Sequence, residues 1–231
     1  MELFKNIPIH DVKNIALSGL TDEVFCRYIN SVFKANDRSV LLVTSSLFEA
    51  NSLFDSLSNY QDNVYLFPMD DFLTSEAIAI SPDLLVNRLE TLNAILENKK
   101  VIVVTNLMGY LRYLPSVSTY KKSILTLKEN DDINQDELVR TLNRIGYIRE
   151  SIVTKTGEFS ARGFIIDIFP LGSEHPIRFE FFGDTIESIR EFDEDTQKSI
   201  KKLDSVTINP YSEFIIEKQV DILPKQKYLK E

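Results

Sequence analysis

Three short apolar runs, SVLLVT at 39–44, NVYLF at 63–67 and VIVVT at 101–105, are separated by stretches of helical periodicity. Strands this uniformly apolar are buried on both faces, and helices between them serve as crossovers, so the pattern dictates an α/β layer built on a parallel sheet. None of the three strands is expected to have a wet face. Val24, Phe25, Tyr28, Ile29, Val32 and Phe33 mark one stripe of a helix over 21–34, with Thr21 as its N-cap. Leu47, Ala50, Leu53, Phe54 and Leu57 mark a second helix. Ser81-Pro82 opens a third, with Ser as cap and Pro at the first helical position. A short helix over 107–113 leads to Leu114-Pro115.

After Pro115 the rhythm changes. A strand over 123–127 is followed by an Asn134-capped helix, 135–144, that Gly146 terminates. The rest, as far as Ile208, reads as hairpins, including a strand over 185–192 after a Gly183-Asp184 turn. This is an α+β module with a small antiparallel sheet, distinct from the first. The division falls at residues 1–117 and 118–209. Residues 210–231 start a return toward the first module, and the tail carries no obvious closing element, as expected of a segment cut from a longer polypeptide.

The net charge of −9 on 231 residues opposes phosphate at long range and disfavours a nonspecific DNA clamp. One cysteine, Cys26, forms no intrachain disulfide and reads as a buried small residue in a reducing compartment. No apolar run approaches a membrane span of ~20 residues, so a soluble, cytoplasmic protein is expected, without a membrane partner. His10 and His175 are far apart, which leaves no zinc-spaced cluster. Asp70-Asp71 and Asp193-Glu194-Asp195 read as solvated loops rather than metal sites.

A motor-like α/β lobe raises the question of a phosphate loop. Such a loop needs two glycines for close backbone approach, a Lys for the β/γ charge and a Ser/Thr for magnesium. At the corresponding place the chain reads LSGLTDEVFCRY, 17–28. Gly19 is present; the second Gly, the Lys and the hydroxyl are not. Asp22 and Glu23 stand where positive charge is required, and each like-charge contact at ~4 Å costs on the order of 1 kcal/mol even in water. ATP binding and catalysis by this chain are not expected.

The chemistry that remains lies in 157–193, GEFSARGFIIDIFPLGSEHPIRFEFFGDTIESIREFD. Side chains alternate along a strand, so Arg178, Glu180 and Phe182 share one face and Phe179 and Phe181 take the other. A helix covers only one face of so small a sheet. With Phe179 and Phe181 inward, Arg178 and Phe182 point outward together, a composition typical of protein-contact hot spots. The plainer reading makes Arg162 and Arg178 surface partners of Glu158, Glu180 or Glu187, and Phe182 part of the core.

This stretch resembles the amino-terminal UvrB-homology region of bacterial transcription-repair coupling factors. The likeness runs from about Ile15 to Pro210. The damage-recognition helicase UvrB shares the core GEF-x-x-RG-x-x-IDIFP; the flanking GSE-x-P-x-R and the missing nucleotide motif favour the coupling factors. The resemblance implies a degenerate P-loop/RecA-like parallel-sheet domain of the UvrB domain 1 type, with an inserted α+β domain of the UvrB domain 2 type. It implies recruitment of UvrA through Arg162, Arg178 and Phe182, with Glu158 and Phe159 structural. It also implies that RNA polymerase, DNA, ATP and magnesium are engaged by other parts of a parent translocase, so that no cofactor belongs to this segment. A UvrB-like or other helicase fragment that binds ATP or DNA is the alternative. Reversing Arg178, alone or with Arg162, is expected to keep the fold and weaken UvrA association.

Overall fold

A computed structural model describes residues 16–71, 81–97 and 99–215. They fall into two compact units, one within Met1–Tyr113 and one within Leu114–Glu231. His10 and the chain after Ile215 lie outside the described residues.

In the first unit, α1 (Asp22–Ala35) precedes β1 (Val40–Thr44), α2 (Leu47–Ser58), β2 (Val64–Phe67), α3 (Pro82–Leu96), β3 (Ile102–Asn106) and the short α4 (Leu107–Tyr110). The strands pair in parallel, in the order β1-β3-β2. Parallel neighbours require crossovers, and α2 and α3 supply them. Cys26, Tyr28, Ile29 and Phe33 of α1 join Ala50 and Leu57 of α2 over Val64, Leu66, Ile102 and Val104. Each fully buried side chain of this kind contributes about 1.5–3 kcal/mol. The β2 edge is covered by α3, whose Thr91 hydroxyl donates to the Leu66 carbonyl at 2.8 Å. Such cover removes an edge that would otherwise pair with other chains.

The expectation that no strand has a wet face fails at β1. It is an edge strand, and its inner face packs while Leu41 and Val43 stand exposed among the described residues. Helices over one face cannot cover the alternate side chains of an edge strand, however apolar they are. Asp71 is also more than a solvated loop residue. Its carboxylate accepts from Leu47 N at 2.8 and 3.0 Å, at the first turn of α2, and from Asn106 Nδ2 at 2.7 Å. Its negative charge thus sits at the positive end of the helix.

The second unit contains α5 (Val117–Lys122), β4 (Leu125–Lys128), α6 (Gln135–Arg144), β5 (Ile148–Arg149), β6 (Glu158–Arg162), β7 (Ile165–Ile168), β8 (Ile177–Phe182), β9 (Thr185–Phe192), β10 (Ser199–Leu203) and β11 (Ser205–Ile208). Asn134 caps α6 through its side chain, which accepts from Glu137 N, and Gly146 at φ +102° turns the chain out of it. Six strands form one sheet, ordered β10-β9-β8-β7-β6-β5, and β11 pairs with β4 in a second. The larger sheet is not wholly antiparallel: β5 runs parallel to β6. Leu138, Leu142 and Ile145 pack onto Phe159, Ile166, Ile168, Phe179, Phe181, Ile186 and Ile189. Ile186 and Ile189 are three residues apart, yet both face this core, because a bulge skips Glu187 between the Glu180↔Ser188 and Phe181↔Ile186 pairs.

Residues 209–213 are fastened back onto this unit. Tyr211 N donates to Ile145 O at 2.8 Å, and Tyr147 Oη donates to Asn209 O at 2.9 Å. The Tyr211 ring lies so close to Gly157, φ +89°, that a Cβ there would stand 2.2 Å from Cε1. Burial pushes the Tyr147 and Tyr120 phenols well above their ordinary range.

Candidate functional site

The α6 helix covers one face of the six-stranded sheet, and the other carries the charge. Register places Ser160, Asp167, Arg178, Arg190 and Lys202 in one row across β6 to β10. Arg162, Ile165, Glu180 and Ser188 form the next row, and Phe182 opposite Thr185 lies beyond it. The rows are two residues apart, so Arg178 and Phe182 are separated by roughly 13 Å along β8.

The middle of this face is a single buried carboxylate shared by two guanidiniums. Asp167 is 1% exposed. Arg178 grips it bidentately, Nε to Oδ1 at 2.7 Å and Nη2 to Oδ2 at 2.9 Å. Arg162 Nη2 reaches the same Oδ2 at 3.1 Å. Arg178 also donates to Gln197 Oε1 at 2.9 Å and lies over the Phe192 ring, 4.3 Å from its centroid. The hydrogen bonds to Asp167 hold the Arg178 pKa above its ordinary value, against the opposing effect of burial. Beside them, Arg190 binds Glu180, and the Ser188 hydroxyl donates to the same carboxylate at 2.8 Å. Burial pushes the Glu180 carboxyl up, but these two partners outweigh it and leave it below the usual range. Three arginines against Asp167 and Glu180 leave one positive charge over, in a chain whose net charge is −9.

The three sequence candidates occupy different positions on this face. Phe182 is 79% exposed at the end of β8, and Phe179 and Phe181 are buried on the core side. Arg162 has a side chain 51% exposed, and its Nε and Nη1 make no hydrogen bond among the described residues. Arg178 faces outward but only 17% of its side chain is exposed. Both arginines form their direct ion pairs with Asp167 rather than with Glu158, Glu180 or Glu187, although the Glu180 charge still acts on Arg178, and Phe182 is not core. Glu158 instead accepts from Thr154 N and Lys155 N at 2.8 and 2.9 Å, while Phe159 is fully buried, both structural positions.

Asp167 is the residue that sequence reasoning passed over. The signal was present: an acid inside the apolar run IIDIF, facing two arginines on neighbouring strands. A charge so placed must be paired, because leaving it alone in a low-dielectric site is prohibitive.

Elsewhere, Gly19 takes φ +76° ahead of α1, and Asp22 and Glu23 occupy the helix's first turn. Cys26 is buried. His175 Nδ1 lies 3.4 Å from Glu194 Oε2, and Asp193 accepts from the Thr196 amide and hydroxyl at 2.7 Å. Among the described residues no cluster of metal-ligating side chains is found, and no helix is long and apolar enough to cross a membrane.

The family model of the UvrB interaction domain matches residues 125–214, the span that holds this face. Across nearly its whole length the chain is also similar to curated transcription-repair-coupling factors. It is 37% identical to that of Staphylococcus aureus (strain bovine RF122 / ET3-1) over 209 residues, 90% of this chain and 18% of the relative. It is 36% identical to that of Staphylococcus haemolyticus over 206 residues, 88% of this chain and 18% of the relative. The figure for Bacillus subtilis (strain 168) is 35% over 218 residues, 92% of this chain and 18% of the relative. The chain therefore spans about a fifth of the length of these proteins. Residues 125–214 match the UvrB interaction domain, in a chain similar over about nine-tenths of its length to part of the transcription-repair-coupling factors.

Proposed function

We propose that this chain is the UvrA-recruiting segment of a transcription-repair coupling factor, and that it works by docking rather than by catalysis. In this reading Arg162, Arg178 and Phe182 form the docking patch for UvrA. The observation that carries it is the placement of an exposed phenylalanine on the same sheet face as two arginines that share one buried carboxylate. Arg162 offers a planar fork to a partner carboxylate, and Phe182 offers area with little entropy to lose. Arg178, clamped by Asp167, Gln197 and Phe192, presents its guanidinium already oriented.

The first unit is then a degenerate P-loop, RecA-like lobe that binds no nucleotide. Gly19 alone does not make a phosphate cradle, and Asp22 and Glu23 repel a triphosphate. Domain limits of 1–117, 118–209 and 210–231 follow from the same reading, with RNA polymerase, DNA, ATP and magnesium handled elsewhere in a longer cytoplasmic protein.

Calorimetric titration of purified UvrA with the chain tests the proposal. Arg162→Ala and Phe182→Ala should each weaken binding by about tenfold or more, at a cost in stability of no more than about 1 kcal/mol. Wild-type affinity in both variants would remove the site. Saturable, magnesium-dependent binding of a fluorescent ATP analogue would favour the helicase alternative instead.

A further inference from the structure

Ligands of open α/β sheets bind outside the carboxyl ends of the strands. The first unit has a cavity of about 320 Å³ in that place, at the end of β1, where the first turns of α1 and α2 meet. Phe25, Phe48 and Leu53 give it apolar walls, and Asp22 and Glu49 bring charge; among the described residues no Lys or Arg lines it. Phe25 and Leu53 pack against the core, whereas Phe48 is 82% exposed. Ser45 N and Oγ donate to Glu49 Oε2 at 3.1 and 2.8 Å, which fixes the carboxylate and leaves Oε1 open among the described residues. The sign of the field follows from the charges. Each helix start carries about half a positive charge, and two such ends favour an anion. Asp22 and Glu49 each bring a full negative charge, and Asp71, bound to Leu47 N, brings a third, so the mouth carries about −2. Burial pushes the neighbouring Cys26 thiol up and the Asp22 charge adds to it, so that charge is felt inside the cavity.

We propose that this crevice takes an arginine side chain from a protein segment. Its guanidinium meets Asp22 and Glu49, its stem runs along Phe25 and Leu53, and the Phe48 ring stacks on the guanidinium plane. The volume lies at the lower end of ligand pockets and suits one such side chain. Arginine fits better than lysine, because its planar fork engages a carboxylate and a ring at once. A protein is the source because Phe48 stands mostly outside the cavity, a ring at the rim for the surface that carries the arginine. The crevice belongs to the first unit, and the inference does not depend on the UvrA patch.

The test follows amide shifts of the whole ¹⁵N-labelled chain by NMR, which also reports whether each variant stays folded. Acetyl-Ala-Arg-Ala-amide should shift the amides of Phe25, Thr44 and Leu53 saturably. The same peptide with citrulline keeps the shape, loses the charge and should bind about fivefold more weakly or less tightly still. Asp22→Asn and Phe48→Ala should each weaken the arginine peptide about threefold. No saturable shift, equal binding of the citrulline peptide, or wild-type affinity in both variants overturns the proposal. Ethylguanidinium binding as tightly as the peptide overturns the protein source. Saturable shifts of the same amides with inorganic phosphate or ATP overturn it together with the reading of this lobe as one that binds no nucleotide, while UvrA binding by the second unit stands or falls on its own assay.

Discussion

Replacing Asp167 should cost several kcal/mol of stability, although it lies on the outer sheet face. Asp167→Ala removes the carboxylate that accepts from Arg178 at 2.7 and 2.9 Å and from Arg162 at 3.1 Å. Breaking a buried ion pair by deleting one partner costs about 3–5 kcal/mol, because a charge is left unpaired. Arg178 keeps Gln197 and the Phe192 ring and has some access to water, which places the loss at the low end. The Arg162 contact, half in solvent, adds no more than about 1 kcal/mol. The sum is about 3–4 kcal/mol for Asp167→Ala. For Asp167→Asn, which keeps one acceptor and the volume, it is about 2 kcal/mol. Urea unfolding followed by far-ultraviolet circular dichroism measures both, and the transition of the second unit is the one to read. A cycle with Arg178→Met should return a coupling of about 2 kcal/mol, since contacting residues are not additive. A loss below about 1 kcal/mol for Asp167→Ala would show that the pair is solvated and that the clamp does not organise this face.

Three further outcomes follow from the same geometry. Arg162→Glu should change stability by less than about 1 kcal/mol, whereas Arg178→Glu puts a second carboxylate against buried Asp167 and should unfold the second unit in a thermal melt; equal melting temperatures would contradict the difference in burial. Gly157→Ala should destabilise by more than about 1 kcal/mol, since its Cβ meets Tyr211 Cε1 at 2.2 Å and its φ is +89°; a neutral result in the same urea assay would mean that the 209–213 segment is not packed there. Burial raises the Tyr120 and Tyr147 pKa values in the folded state, so the stability they contribute is complete below about pH 10 and lost as pH rises through the raised values. Their phenolate absorbance should appear together with loss of circular dichroism, and a smooth titration in an intact fold would refute it.

Much of the architecture was legible because its signals are local. The period-two run IRFEFF put Phe179 and Phe181 on the face opposite Arg178 and Phe182, though not which face is core, and Asn134 and Gly146 bracketed α6 to the residue. What was not legible depends on pairing at a distance. The two-residue β5 has no hydrophobic signature; it exists because Ile148 and Arg149 find β6 in parallel. The bulge at Glu187 is set by register with β8 and by Ile186 and Ile189 both reaching the core. The open face of β1 reflects which helices pack on it, not the sequence of the strand. For the candidate site, the residue types were visible but their degree of exposure was not. Arg162 and Arg178 look equivalent in the sequence, yet one is half in water and the other is mostly covered.

That inequality decides how the patch is to be probed. Charge reversal at Arg178, which the sequence suggested as a clean test of partner binding, mixes recognition with folding. The guanidinium that would meet a partner is also the one that neutralises Asp167. Phe182 reports on recognition alone and Arg162 nearly so, because the core depends on neither and the Arg162 contact to Asp167 is half in solvent. Asp167 links the two roles: by holding Arg178 in one orientation it removes rotamer entropy before any partner arrives. An Asp167→Asn chain that stays folded at low temperature but binds UvrA less tightly, with Arg162 and Phe182 intact, would separate preorganisation from contact. Unchanged affinity in that folded variant would confine Asp167 to stability.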